Sequence, residues 1–213
     1  DKLLIMTDNY WNSFYSSHGK DIAKRSPSQF AVFVHGETED CSSLIDLGTG
    51  NGRDAFFFAS HGKKVLGLDA SHSAIEDNTH FAHEKGLNQT IRFERFEIGK
   101  DSKEDIVNFE EKKFIYARFF LHSLNDELLK EFAKLTSFLM KPNEKLFVEY
   151  RTDRDSERKK IYDNHYRNFL NPNLVEQLFN HYNLNIIYSV EGLGYAKYKE
   201  DDAHVSRMVF KKS

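Results

Sequence analysis

The sequence predicts an α/β chain on a seven-stranded mixed sheet, five parallel strands plus a C-terminal antiparallel hairpin, with helices on both faces. Three observations carry this expectation. From Ser43 onward, short apolar β-rich runs alternate with segments of helical period. A turn with glycine at every second position follows the first of those runs. Near the end, two β-like runs are joined with no helix-length pattern between them, as in an antiparallel pair. Alternation of strand and helix is how a parallel sheet with crossover helices appears in a sequence.

Residues 1–42 are aromatic-rich, with "YWNSFY" and "SPSQFAVFV", and are expected to form a helical lid across the ligand-bearing edge. Residues 43–213 form the expected core. There, "SLIDL" leads into the helix "RDAFFFASHG", and "KKVLGLDA" into "HSAIEDNTHFAHEKG". "TIRFERFEI" leads into a charged stretch, and "KFIYARFF" into "NDELLKEFAKLTSFLM". "KLFVEY" opens a polar insert at about 150–172, followed by "NPNLVEQLFNHYN", and "LNIIYSVEG" and "AHVSRMVFKK" close the chain. Gly62 and Gly86 stand where helices should end.

At 213 residues the chain suits one domain with an ordinary core. Its lone cysteine, Cys41, excludes an intrachain disulfide and fits a reducing compartment, so the cytoplasm is the expected location. A formal charge of -3 gives no general attraction for nucleic acid or an anionic membrane. The apolar runs are too short for a bilayer span, and the N-terminus lacks the order of a signal peptide. The chain begins at Asp1, which leaves room for further N-terminal sequence or another domain.

The glycine turn reads Asp46-x-Gly48-x-Gly50-x-Gly52, unlike the G-x-G-x-x-G of a dinucleotide site. Missing Cβ atoms let a ligand rest on the turn and permit positive φ. In open α/β sheets ligands bind beyond the carboxyl ends of the strands. Asp46 suits a ligand with an ammonium group better than a pyrophosphate. Asp69, at the end of the second strand, can accept both hydroxyls of a ribose. Glu97 can accept an adenine amino group while Phe96 covers the ring; Glu94 competes with it, depending on register.

With these residues in view, the chain resembles the class I S-adenosylmethionine-dependent methyltransferases, over essentially its whole length. "IDLGTGNGRDA" looks like their first motif, "VLGLDAS" their second, "RFEI" their third and "MKPNEKLFVE" the turn into their fifth strand. The resemblance implies a Rossmann-like sheet and S-adenosylmethionine as cofactor, leaving as S-adenosylhomocysteine. It implies that Asp46, Gly48, Gly50 and Gly52 meet the methionine moiety, Asp69 the ribose and Glu97 the adenine. Thr49, Ala70, Phe96, Arg118 and Tyr15 complete the candidate cofactor residues, with Trp11 an alternative to Tyr15 as a cover. Two departures stand out. Asn143-Glu144 replaces a common Gly-Gly turn, and Arg118 ends the fourth strand where a small or polar residue is usual.

Methyl transfer needs alignment above all, and a base only when the nucleophile arrives protonated. The Asn/Asp-Pro-Pro-aromatic motif of nucleobase amino-methylating enzymes is absent, the position reading "ARFFLHSL". His122 and His165 are the candidate bases, although a histidine at a helix start can be structural. Arg118, Tyr150, Arg151, His165 and Arg167 are the candidate acceptor residues, since guanidinium forks recognise carboxylate or phosphate. No metal site is expected; Asp153 and Asp155 alone are too few ligands.

The insert "E-x-R-T…HYR-x-F" and the end "EGLGYAKYKEDD…SR" look similar to methyltransferases of bacterial surface-polysaccharide assembly. That implies O-methylation of a sugar hydroxyl or phosphate-type group on a small anionic or glycan acceptor, within a glycan-assembly system. Small-molecule N-methylation, a non-catalytic S-adenosylmethionine-binding module and a nicotinamide oxidoreductase are the competing readings. The last would want the glycine spacing this loop lacks.

Overall fold

The computed structural model describes residues 26–106, 109, 112–155, 168–198 and 200–213. Expectations for residues 1–25, including Trp11 and Tyr15, and for His165 and Arg167 lie outside the described residues. The expected seven-stranded mixed sheet is present. By internal contacts the chain divides into two compact units, Asp1–Glu97 and Ile98–Ser213.

In the first unit, helix α1 (Gln29–Gly36) is capped by the Ser28 hydroxyl, which accepts the amide of Ala31. Three parallel strands follow in the spatial order β3-β2-β1: β1 (Ser43–Leu47), β2 (Lys64–Asp69) and β3 (Ile91–Arg95). Every residue of β1 is buried, as expected of a strand covered on both faces. Helix α2 (Arg53–Ser60) returns the chain from β1 to β2, and α3 (His72–Glu84), capped by Ser71, returns it from β2 to β3. "AFFFA" supplies packing: the Phe56 ring lies 4.8 Å from Phe81 and 5.3 Å from Phe93. Gly67 in β2 makes room for Phe93, because a Cβ there would stand 2.5 Å from its ring.

In the second unit the spatial order is β4-β5-β7-β6. Strands β4 (Phe114–Arg118) and β5 (Lys145–Arg151) are parallel, with α4 (Asp126–Leu139) between them in sequence. Helix α5 (Pro172–His181) starts with proline in its first turn, where a missing N–H costs nothing. Strand β6 (Leu184–Gly192) pairs antiparallel with β7 (Val205–Lys212), and β7 pairs antiparallel with β5. Phe179 stacks on Phe210 at 4.8 Å and meets Phe132 edge-on at 5.9 Å, joining α4 and α5 to the sheet. Between β3 and β4, the described residues hold one short 3-10 turn, Lys103–Asp105. No helix among the described residues is long and apolar enough to cross a membrane.

Candidate active site

The glycine loop departs from β1 with its backbone held to β2. The amides of Gly48 and Thr49 both donate to the Leu68 carbonyl, at 2.9 and 3.0 Å. Gly48, Gly50 and Gly52 have φ of 74°, 52° and 70°, a region that side chains with a Cβ avoid. Gly52 is the N-cap of α2, and a Cβ there would also lie 2.8 Å from Asn78 Oδ1. All three glycines are therefore required by the backbone, and Gly52 by space as well.

Two acids organise the turn. The Gly50 amide donates to Asp69 Oδ2 at 2.8 Å, and the Ser71 amide to Oδ1 at 2.9 Å. With about four lone-pair sites on the carboxylate, acceptor capacity remains for a ligand hydroxyl. Burial pushes the Asp69 carboxyl above the usual range, while the Ser71, Gly50 and Ala70 amides pull it back. Asp46 is 3 % exposed and accepts the Thr49 hydroxyl at 2.7 Å, so it faces its own loop. Burial pushes its carboxyl up to about 8, against the Thr49 hydrogen bond and with help from the charges of Asp54 and Asp69.

The residue that sequence reasoning missed is Asn78. It is wholly buried on α3, and its Nδ2 donates to the Gly50 carbonyl at 2.8 Å, bracing the loop from behind. Its Oδ1 has no partner. The signal was there: Asn78 shares the buried stripe of Ala74, Ile75 and Ala82, a polar residue at apolar spacing. Asp54 plays a similar part, taking the Ser28 amide at 2.8 Å and its hydroxyl at 2.7 Å and so tying α1 to the start of α2. Past β3, the Phe96 amide donates to the Asp69 carbonyl at 3.0 Å. Glu97 is buried with Arg95 Nη2 at 3.0 Å, whereas Glu94 is more exposed and pairs with Arg92.

The second unit holds its own cluster at the carboxyl ends of β4 and β5. Glu149 is wholly buried, with Arg118 Nε at 2.8 Å on one oxygen and Arg207 Nε at 2.7 Å on the other. The three residues sit opposite one another on adjacent strands. Phe119 follows in the left-handed region, φ 54°, its amide donating to the Glu149 carbonyl at 2.7 Å. The guanidinium of Arg118 lies 4.1 Å from its ring centroid and that of Arg151 5.6 Å. Arg151 is bound by Asp155, at 2.7 Å, and by Asp201. His122 is buried in the turn Leu121–Ser123, and its Nδ1 meets the Arg151 amide at 3.2 Å. Tyr150, expected to touch the acceptor, is wholly buried with its hydroxyl on Met208 Sδ at 3.4 Å, the placement of a core side chain. Among the described residues, no three His, Cys, Asp or Glu side chains gather as a metal site.

A bare loop after β1 and an acid ending β2 define an α/β protein for an adenosine-type ligand. The chain belongs to the methyltransferase-domain family, whose model matches residues 20–189. No curated protein sequence matches it. Among solved structures it is similar to an S-adenosylmethionine-dependent methyltransferase from Anabaena variabilis, with 18% identity, a TM-score of 0.70, and 97% of this chain and 93% of that one covered. It is similar to a TehB-like S-adenosylmethionine-dependent methyltransferase from Corynebacterium glutamicum, at 12% identity, TM-score 0.70, and 95% and 98% covered. It is also similar to the 1,6-didemethyltoxoflavin-N1-methyltransferase of Burkholderia thailandensis, with bound 1,6-didemethyltoxoflavin and S-adenosylhomocysteine, at 18% identity, TM-score 0.68, and 99% and 90% covered. By that family membership the chain is a methyltransferase.

Proposed function

We propose that this chain transfers the methyl group to an oxygen of a small anionic or glycan acceptor, a sugar hydroxyl or a phosphate-type group, in the cytoplasm and in the service of polysaccharide assembly. When bound, S-adenosylmethionine supplies an activated methyl on a sulfonium centre. Asp46, Gly48, Thr49, Gly50 and Gly52 would hold its methionine part, Asp69 and Ala70 the ribose, and Phe96 and Glu97 the adenine. This chain's own contribution to rate is alignment and exclusion of water. The observation that carries the acceptor class is the cluster around Phe119, where Arg118 and Arg151 stack guanidinium groups on an aromatic ring at two strand ends. Each guanidinium already serves a carboxylate, Glu149 for Arg118 and Asp155 and Asp201 for Arg151, so an acceptor oxygen would share or compete for these planar five-donor groups, whose fork suits carboxylate, phosphate or sugar oxygens.

A second reading, N-methylation of a small molecule, is favoured by the likeness to the Burkholderia enzyme, which is named as an N1-methyltransferase. The test is incubation of the chain with S-adenosylmethionine and glucuronic acid, glucose 1-phosphate, a neutral methyl glucoside or an aromatic amine, the methyl being located by mass spectrometry. The proposal expects methyl on oxygen in at least one sugar. Methylation of the amine alone would replace it with the second reading.

A further inference from the structure

We propose that Asn78 is a positioning residue for the cofactor, holding the two peptide units around Gly50, together with Asp69, in the orientation that the ligand meets. The inference rests on reading the glycine loop as the S-adenosylmethionine site. It starts from an exchange that is poor for stability alone. Asn78 is wholly buried on α3, where one hydrogen bond, from Nδ2 to the Gly50 carbonyl at 2.8 Å, is set against an Oδ1 with no partner among the described residues. A buried polar atom left unpaired costs at least as much as one ordinary hydrogen bond returns. Such a residue is explained by what it does to the loop rather than by what it adds to the core.

The carboxamide has its orientation fixed by its partner. A carbonyl can only accept, so the side-chain nitrogen must face Gly50. Oδ1 is then left toward Gly52, where a Cβ would stand 2.8 Å from it, and the bare α-carbon of Gly52 is what lets the carboxamide approach.

Gly50 is a point of the loop that needs holding. Its φ of 52° suits glycine, but glycine also has the most backbone freedom to lose. The peptide before it is fixed through the Gly50 amide, which donates to Asp69 Oδ2 at 2.8 Å, and the peptide after it through the Gly50 carbonyl on Asn78. Both sides of Gly50 are thereby set from one segment, which leaves β2 at Asp69 and enters α3 through the Ser71 cap. Asp69 is itself held by the Ser71 amide at 2.9 Å. The glycine turn and the acid read as the ribose partner thus share one frame. A ligand spanning them meets a loop already in place, and less ordering is left to the moment of binding.

The test is titration calorimetry of the natural chain, Asn78→Leu and Asn78→Asp with S-adenosylhomocysteine, at about pH 8 and about pH 5, on either side of where a buried carboxyl titrates. Leucine fills a similar space and donates nothing, so binding should weaken about 3- to 10-fold at both pH values, the loss of one neutral hydrogen bond. Aspartate keeps the shape of asparagine. Ionised, it turns an acceptor toward the Gly50 carbonyl; protonated, as burial favours, it can donate to that carbonyl. Each affinity is taken relative to the natural chain at the same pH, so that the titration of Asp46 and Asp69 is common to both. The aspartate variant is expected to be weak at the higher pH and to recover most of its affinity at the lower, a recovery that a side chain merely filling the core would not show. If the leucine variant does not fold, the aspartate variant carries the test alone. Leucine binding within about twofold of the natural chain, or an aspartate variant still weakened at the lower pH, would overturn the proposal while leaving the cofactor reading intact. Failure of the natural chain to bind would overturn that reading, and the proposal with it.

Discussion

A carboxyl group enclosed by its own loop, as Asp46 is, ties the cofactor turn to pH. Its folded value of about 8 lies well above the unfolded value of about 3.9. Between the two the folded chain binds the extra proton, so the stability this carboxyl contributes is fully present below about pH 4 and is lost as pH rises toward about 8. Asp69, also raised, acts with the same sign. Asp46→Asn keeps an acceptor for the Thr49 hydroxyl and removes the titration. Urea denaturation should therefore show the variant gaining on the natural chain between about pH 5 and 8; parallel curves would show that Asp46 is ionised throughout. Such residues were legible to different degrees. The glycine spacing and Asp69 stand out because a bare turn and a strand-end acid are local patterns. The contact of His122 Nδ1 with the Arg151 amide joins positions 29 residues apart, which no local pattern reports.

Among the elements, the strand ends of the second unit are joined by charge. Glu149 on β5 is clamped between Arg118 on β4 and Arg207 on β7, all at one level of the sheet. Removing the carboxylate leaves two partly buried guanidinium groups facing each other without their counter-ion. Glu149→Leu should therefore lower stability by about 3–5 kcal/mol, measured by chemical denaturation. A loss under about 1 kcal/mol would mean that the cluster is well hydrated. The turn before β5 shows how a departure from a common pattern is accommodated. Asn143 adopts φ 71° in place of a glycine, and the Glu144 carboxylate accepts the amides of Lys113 and Lys141, both at 2.9 Å. Asparagine tolerates that conformation better than other non-glycine residues.

For the whole molecule, the parallel strands were legible because buried strands read as continuous apolar runs, "SLIDL" and "KLFVEY" among them. The placing of β7 between β5 and β6 was not, since it depends on pairing between segments more than fifty residues apart, Tyr150 with Ser206 for example. Asn78 was equally hidden, its role requiring α3 to meet a loop 28 residues earlier. The central claim is that the glycine loop and Asp69 bind a sulfur nucleoside. It is tested most directly by titration calorimetry of the chain with S-adenosylmethionine, S-adenosylhomocysteine and NAD, alongside Asp69→Ala. The account predicts binding of the first two and not of NAD, weakened about 10- to 100-fold by the substitution, as expected when a charged hydrogen-bond acceptor is lost. Failure of both sulfur nucleosides to bind, or affinity unchanged in Asp69→Ala, would contradict it.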